Sequence, residues 1–204
     1  MANVLIINGH QPYPFAPGRL NAAFEERARA FFEGRGWAVR ATRVADDWEV
    51  DTEIEHHRWA DVIFMQFPCN WMGVSWRFKQ YMDAVYTFGM DGRLCAGDGR
   101  SRTDPQKQYG TGGTLTGTRY MLSVTFNAPR ACFDDPEQVF FEGRSVDDLM
   151  WPMHLNMRFF DVAPLPTFSA HDVMKNPDVE QDFVRFEAHL KAAFAAEPEM
   201  ERTR

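Results

Sequence analysis

The most constraining stretch of this chain is Val62-Ile63-Phe64-Met65-Gln66-Phe67, a nearly unbroken apolar run that stops at Pro68. A strand with one face in water alternates apolar and polar residues. A run that is apolar almost throughout needs cover on both faces, the condition of a central strand in a parallel sheet. The next residues, Cys69-Asn70-Trp71-Met72-Gly73-Val74-Ser75-Trp76, read as an aromatic loop that leads into a helical pattern. In open α/β sheets, ligands settle in the crevice at the carboxyl ends of the strands. The flat apolar side chains of this loop suit a flat aromatic ligand, and equally suit a hydrophobic crossover packed under neighbouring helices.

Val4-Leu5-Ile6-Ile7 repeats the pattern and ends at Asn8-Gly9, so it too reads as a central parallel strand. The segment His10 to Gly18 contains Pro12, Pro14 and Pro17 and reads as a loop. After it, Leu20, Ala23, Phe24, Ala28 and Phe31 fall at helical spacing, and Gly34 to Gly36 closes the element. This strand, loop and helix lack both GxGxxG and GxxxxGK[ST], which disfavours a dinucleotide-binding βαβ unit and a nucleotide triphosphatase. They keep the arrangement that underlies those motifs. Backbone amides at a helix amino terminus can hold a phosphate without a basic side chain, although the same loop could equally be unliganded surface.

The rest of the chain continues the alternation. Trp37 to Val44 reads as a more exposed strand near the sheet edge, and Asp51 to Arg58 as a modest helix anchored by Ile54, with His56 and His57 on a solvated face. Trp76, Phe78, Tyr81, Met82, Val85 and Tyr86 form a helical stripe. From Gly89 to Arg119 runs a long polar loop, expected to be functional or mobile, whose Gly110-Thr111-Gly112-Gly113 suits close approach to a ligand or a hinge. Arg119 to Phe126 reads as a strand terminated by Asn127-Ala128-Pro129, and Arg130 to Gly143 as an insertion. Ser145 to Phe160 is a helix that Pro152 must kink, break or start, and Ala163 to Phe168 is an edge strand with two prolines. Asp178 to Phe194 closes the domain, and a disordered tail is expected over 196–204.

These elements predict one domain over residues 1–195, a doubly wound α/β fold with a five-stranded parallel sheet and helices on both faces. The proline loop, the aromatic loop and the turn at Thr125, Phe126, Asn127 and Ala128 should converge at the switch point. Chemistry for a phosphate, a flat ring and a ring edge in one place describes a flavin site.

Composition narrows the partners. A net charge of −7 argues against a general nucleic-acid binder, which must neutralise many phosphates with Lys and Arg. Three widely spaced cysteines, Cys69, Cys95 and Cys132, suit a reducing compartment. No run approaches the roughly 20 apolar residues of a membrane span, and the amino terminus lacks a signal-peptide pattern, so a cytoplasmic protein is expected.

A set of collinear segments then becomes recognisable. NVLIINGH, GRLN at Gly18 to Asn21, WADV at Trp59 to Val62, WMG at Trp71 to Gly73 and GDGRSRTDP at Gly97 to Pro105 lie in the first part of the chain. YGTGG at Tyr109 to Gly113, YMLSVTFNAP at Tyr120 to Pro129, PLPTF at Pro164 to Phe168 and HDVMKNPDV complete the set. With these the chain resembles the flavodoxin-like NAD(P)H:quinone oxidoreductases. The resemblance implies a flavodoxin-like fold, non-covalent FAD, NADPH or NADH as electron donor, and a homodimer with the active site at the subunit interface. It also implies hydride transfer to the flavin, followed by two-electron reduction of a quinone in the same pocket.

Carried over by position, Ala16, Pro17, Gly18, Arg19, Leu20, Asn21, Ala22 and Ala23 would surround the FAD phosphates and ribose. Cys69, Asn70, Trp71 and Met72 would flank the ring, with Tyr109, Thr125, Phe126, Asn127 and Ala128 closing the site. No residue is a convincing general acid, although Tyr109 could bond a bound quinone or simply pack. Arg100, Arg102 and Lys107 could meet a nicotinamide cofactor's 2′-phosphate or form a solvated basic loop. The family pattern has glycine and an aromatic where this chain has Cys69 and Asn70, and a small polar residue where it has Ala16 and Pro17. Two other readings are a flavodoxin-like FMN electron carrier and a regulatory partner protein.

Overall fold

A computed structural model describes residues 2–195. The tail expected over 196–204 lies outside the described residues. Strand β1 (Asn3–Asn8) leads to α1 (Arg19–Glu33), β2 (Ala38–Arg43), α2 (Val50–Trp59) and β3 (Val62–Pro68). The chain continues through α3 (Trp76–Phe88), β4 (Arg119–Thr125), α4 (Val146–Leu149), α5 (Trp151–Phe159), β5 (Ala163–Pro164), β6 (Phe168–Ala170) and α6 (Val179–Ala193). All strand pairings are parallel, in the order β2-β1-β3-β4-β5, with β6 also on β4. The chain leaves β1 toward β2 and returns to the opposite side at β3, so the switch point lies between β1 and β3. Among the described residues no helix is long and apolar enough to cross a membrane.

Alternation along the central strands divides the core. Val4 and Ile6 of β1, Val62 and Phe64 of β3 and Met121 of β4 pack with Phe24, Ala28 and Phe32 of α1 and Phe186 and Leu190 of α6. Leu5, Ile7, Ile63, Met65, Tyr120 and Leu122 pack instead with residues of α2, α3 and α5. Both faces are covered, which is why β1 and β3 are apolar at successive positions.

Three expectations need correction, and the alternatives left open at Pro152 are resolved. The last strand is not continuous. Pro166 has no N–H for the ladder, so Ala163–Pro164 pairs with the start of β4 and Phe168–Ala170 with its end. The Ser145 to Phe160 segment is two helices, with Pro152 in the first turn of the second, where its missing N–H costs no helical bond. His57 is not on a solvated face. It is fully buried, its Nδ1–H donates to Glu53 O at 2.8 Å, and its ring lies against Tyr81 and Tyr86 where α2 packs on α3. The glycines of the long loop approach their own chain, since a Cβ on Gly112 would meet Gly97 O at 2.4 Å and one on Gly113 would meet Asp161 N at 2.3 Å. That loop is tied down by a bridge between Cys95 and Gly113.

Candidate functional site

A polar row crosses the sheet at its carboxyl end. Asn8, Gln66 and Ser123 are in cross-strand register and are buried, and by alternation all three point to the α1 face. Asn8 Nδ2 donates to Glu25 Oε2 at 2.8 Å, while Asn8 Oδ1 accepts from the His10 amide at 3.0 Å and so sets the first turn of the proline loop. Ser123 Oγ donates to Gln66 Oε1 at 2.6 Å, and Gln66 Nε2 donates to Asn21 Oδ1 at 2.9 Å. Thr125 Oγ1 also reaches Asn21 Oδ1, at 3.4 Å. With its carbonyl taken, Asn21 has its amide NH₂ left to offer a ligand.

Helix α1 starts from Gly18, which has φ 88° and contributes no side-chain cap. A Cβ there would meet the His10 ring at 2.4 Å, so the left-handed backbone and the close packing both require glycine. The first intrahelical bond is Ala22 N to Gly18 O at 2.9 Å. The amides of Arg19, Leu20 and Asn21 therefore have no partner within the helix and carry its positive dipole end. His10 Nε2–H donates to Ala16 O at 3.0 Å, and burial lowers the His10 pKa, which favours a neutral ring.

The aromatic loop is a tight turn. Asn70 N donates to Gly73 O at 2.8 Å and Gly73 N returns to Asn70 O at 3.0 Å, with Trp71 at φ 47° and Met72 at φ 65° between them. Two left-handed central residues define a type I′ turn, a geometry that favours Asn-Gly and is strained for Trp-Met. Trp71 is 98% exposed as a result. Cys69 N donates to Thr125 O at 2.9 Å, which ties the loop to the end of β4. Burial pushes the Cys69 thiol up to about 11, so at neutral pH it is a protonated, weakly nucleophilic group.

These pieces enclose a cleft of about 730 Å³. Of the residues expected there, Ala16, Pro17, Gly18, Arg19, Leu20, Asn21, Cys69, Asn70, Trp71, Thr125 and Asn127 line it. The others lie elsewhere. Ala22 and Ala23 continue the first turns of α1, and Met72, the second central residue of the I′ turn, is exposed and does not line the cleft. The Phe126 ring packs on Phe133 and His171, and Ala128 O accepts from Asp172 N at 3.2 Å. Tyr109 is 70% exposed and lies on Phe159 with its ring 5.5 Å from the Arg100 guanidinium, away from the cleft within this chain. Arg100 is itself paired with Asp98 at 2.6 Å.

The lining also includes residues that the sequence pattern did not single out, among them His10, Tyr13, Phe15 and Met174. The position of His10 directly after Asn8-Gly9 at the end of β1 was the available signal for the first. Met174 arrives from the segment after β6, within the HDVMKNPDV stretch that carried the resemblance but no site assignment.

The donor set fits the phosphates and polar edge of a flavin nucleotide: three helix-end amides, a fixed Asn21 amide, a glycine that permits close approach, and a flat aromatic wall. Sheet order, switch point and cleft position together define a flavodoxin-like protein, and the chain belongs to the flavodoxin-like fold family, which matches residues 2–194. It is 38% identical over 192 residues to the NADPH:quinone oxidoreductase MdaB of Haemophilus influenzae, covering 94% of this chain and 99% of that protein. It is 40% identical over 193 residues to an uncharacterized protein of Schizosaccharomyces pombe, covering 95% and 97% respectively. Among solved structures, a Klebsiella pneumoniae protein assigned to the quinone reductases superposes with a TM-score of 0.76 at 19% identity, over 97% of this chain and 87% of that one.

Proposed function

We propose that this chain is a flavin-dependent NAD(P)H:quinone oxidoreductase that holds FAD in the cleft and works as a cytoplasmic homodimer. One observation carries the reading most directly: the unpartnered amides of Arg19 to Asn21 and the strained aromatic turn at Trp71 line the same cleft. The 38% identity to a protein named as an NADPH:quinone oxidoreductase supports the choice of electron donor and acceptor. Three free cysteines agree with a reducing compartment.

When bound, the flavin supplies two-electron chemistry, taking hydride equivalents from NADPH or NADH and passing them to a quinone in alternation. The chain's own residues bind and orient. Gly18 to Asn21 hold phosphate and ribose, with Ala16 and Pro17 shaping the loop above them. Cys69, Asn70 and Trp71 form the wall beside the ring, and Thr125 and Asn127 border its polar edge. Neither His10 nor Cys69 is set up as a strong proton donor. His10 is held neutral with its Nε2–H already engaged, and Cys69 keeps its proton. A homodimer would cover exposed aromatic surface at Trp71, Trp76 and Tyr109.

The test is an absorption spectrum of the purified protein with identification of the released cofactor, then addition of NADPH and a benzoquinone. Expected is an FAD band that NADPH bleaches and quinone restores, with light scattering giving a dimer mass. A protein that binds no flavin after reconstitution would refute the reading. FMN reoxidised only by a partner protein would make it an electron carrier.

A further inference from the structure

The segment between Gly9 and Gly18 is an ordered platform rather than a featureless connector. Tyr13 N donates to Ala16 O at 3.0 Å and Ala16 N returns to Tyr13 O at 2.9 Å, closing a tight turn around Pro14 and Phe15. Pro14 and Pro17 limit the conformations this turn can adopt. Tyr13 and Phe15 stack on each other with ring centroids 5.6 Å apart and planes 10° from parallel. Both line the cleft, yet Tyr13 is half-buried whereas Phe15 is 76% exposed. One face of Phe15 is thus backed by Tyr13, and the other is open in a cleft that also contains the α1 amino terminus. Holding an aromatic ring open to water is unfavourable, and here a paired backbone turn and two prolines hold it there.

We infer that the Tyr13–Phe15 pair is a purine-stacking subsite, which makes this cleft select a flavin adenine dinucleotide over the mononucleotide. The inference rests on the flavin reading above and assigns to named residues the choice between the two flavins. The cleft has two aromatic walls, and each suits a different part of a dinucleotide. Trp71 belongs to the turn after β3, which borders the isoalloxazine. Tyr13 and Phe15 belong to the loop that runs into the phosphate-binding helix end, so a group attached beyond the phosphates meets them. A mononucleotide ends at its phosphate and leaves Phe15 unused. Stacking of a base on an aromatic side chain tolerates changes in hydrogen-bonding pattern, so no polar group need read the purine edge.

The experiment compares FAD and FMN on the same apo-protein by flavin fluorescence quenching, in the wild type and in Phe15→Ala, Phe15→Trp and Trp71→Ala. Expected is an FAD affinity above the FMN affinity in the wild type. Phe15→Ala should lower the FAD affinity about ten- to a hundredfold and leave the FMN affinity unchanged. Phe15→Trp should keep FAD tight, and Trp71→Ala should weaken both flavins alike. The exposed position of Phe15 lets these variants fold, which a thermal melt verifies. Equal wild-type affinities for the two flavins would overturn the subsite while leaving the flavin reading intact. Parallel losses of FAD and FMN in Phe15→Ala, or no loss of either, would do the same. A wild type that binds neither flavin would remove both readings together.

Discussion

The carboxamide of Gln66, in the middle of the sheet, donates to Asn21 Oδ1 at 2.9 Å and so joins β3 to the first turn of α1 across 45 residues of sequence. The same side chain accepts from Ser123 on β4. Two strands and a helix end are thereby locked together beneath the cleft. The bond explains why a buried polar residue interrupts the apolar run Val62 to Phe67.

Replacement Gln66→Met keeps the volume and removes both bonds. It leaves Ser123 without its acceptor and Asn21 Oδ1 with only the longer 3.4 Å bond from Thr125 Oγ1, in a buried setting, at a cost of about 1–3 kcal/mol. Urea denaturation should register that loss, and flavin titration should show weaker binding because Asn21 is free to turn. Unchanged stability would show that the network contributes nothing net.

The strained turn makes an opposite prediction. Trp71→Asn combined with Met72→Gly installs the residues a type I′ turn favours and should raise stability by about 1–2 kcal/mol. Flavin affinity should fall at the same time, because the aromatic wall is gone. A gain in melting temperature with retained flavin binding would show that Trp71 has no part in the site.

Acid sensitivity arises from His171. Its ring stacks on Phe126, with Nδ1 3.3 Å from Ala128 O and Nε2 2.9 Å from Ser169 Oγ, and burial pushes its pKa down from 6.5 to about 4. The unfolded chain binds a proton there before the folded one does. The associated stability is therefore present above about pH 6.5 and lost as pH falls through 4. Allowing for partial exposure, the loss is about 1–2 kcal/mol. His10 and His57 shift in the same direction. Denaturation curves at pH 7.5 and 5 should thus differ less in His171→Phe than in the wild type, and equal differences would refute the assignment.

Cys69 should behave as a quiet thiol. With its pKa raised to about 11 by burial, iodoacetamide should alkylate it slowly at pH 7.5 and faster only as pH approaches that value. Mass spectrometry of the digest reads this directly. Rapid modification at neutral pH would mean the thiolate is stabilised by something else in the cleft.

The two apolar runs at Val4 and Val62, the helical stripes between them and the loop after each run made the central strands and the crevice legible in advance, because burial on both faces leaves a continuous apolar signature. The motifs at Gly18 to Asn21, Trp71 and Thr125 located most of the cleft for the same reason, since they sit at strand ends where topology brings ligands. The place of Tyr109 was not legible, because a residue's reach from a long loop depends on where that loop packs, and within this chain it packs on Phe159. His57 was misread because two adjacent histidines look polar in sequence, while only the packing of α2 on α3 decides which of them is buried.

The sequence by itself determined the layered architecture and the end of the sheet that carries the cleft, since both stem from hydrophobic periodicity and from strand-to-helix order. Tertiary structure alone decided the left-handed Trp71-Met72 turn, the Gln66–Asn21 bond and the pairing of Tyr13 with Phe15. Each of these depends on contacts or backbone angles that local propensity opposes or does not encode, and that the surrounding fold imposes.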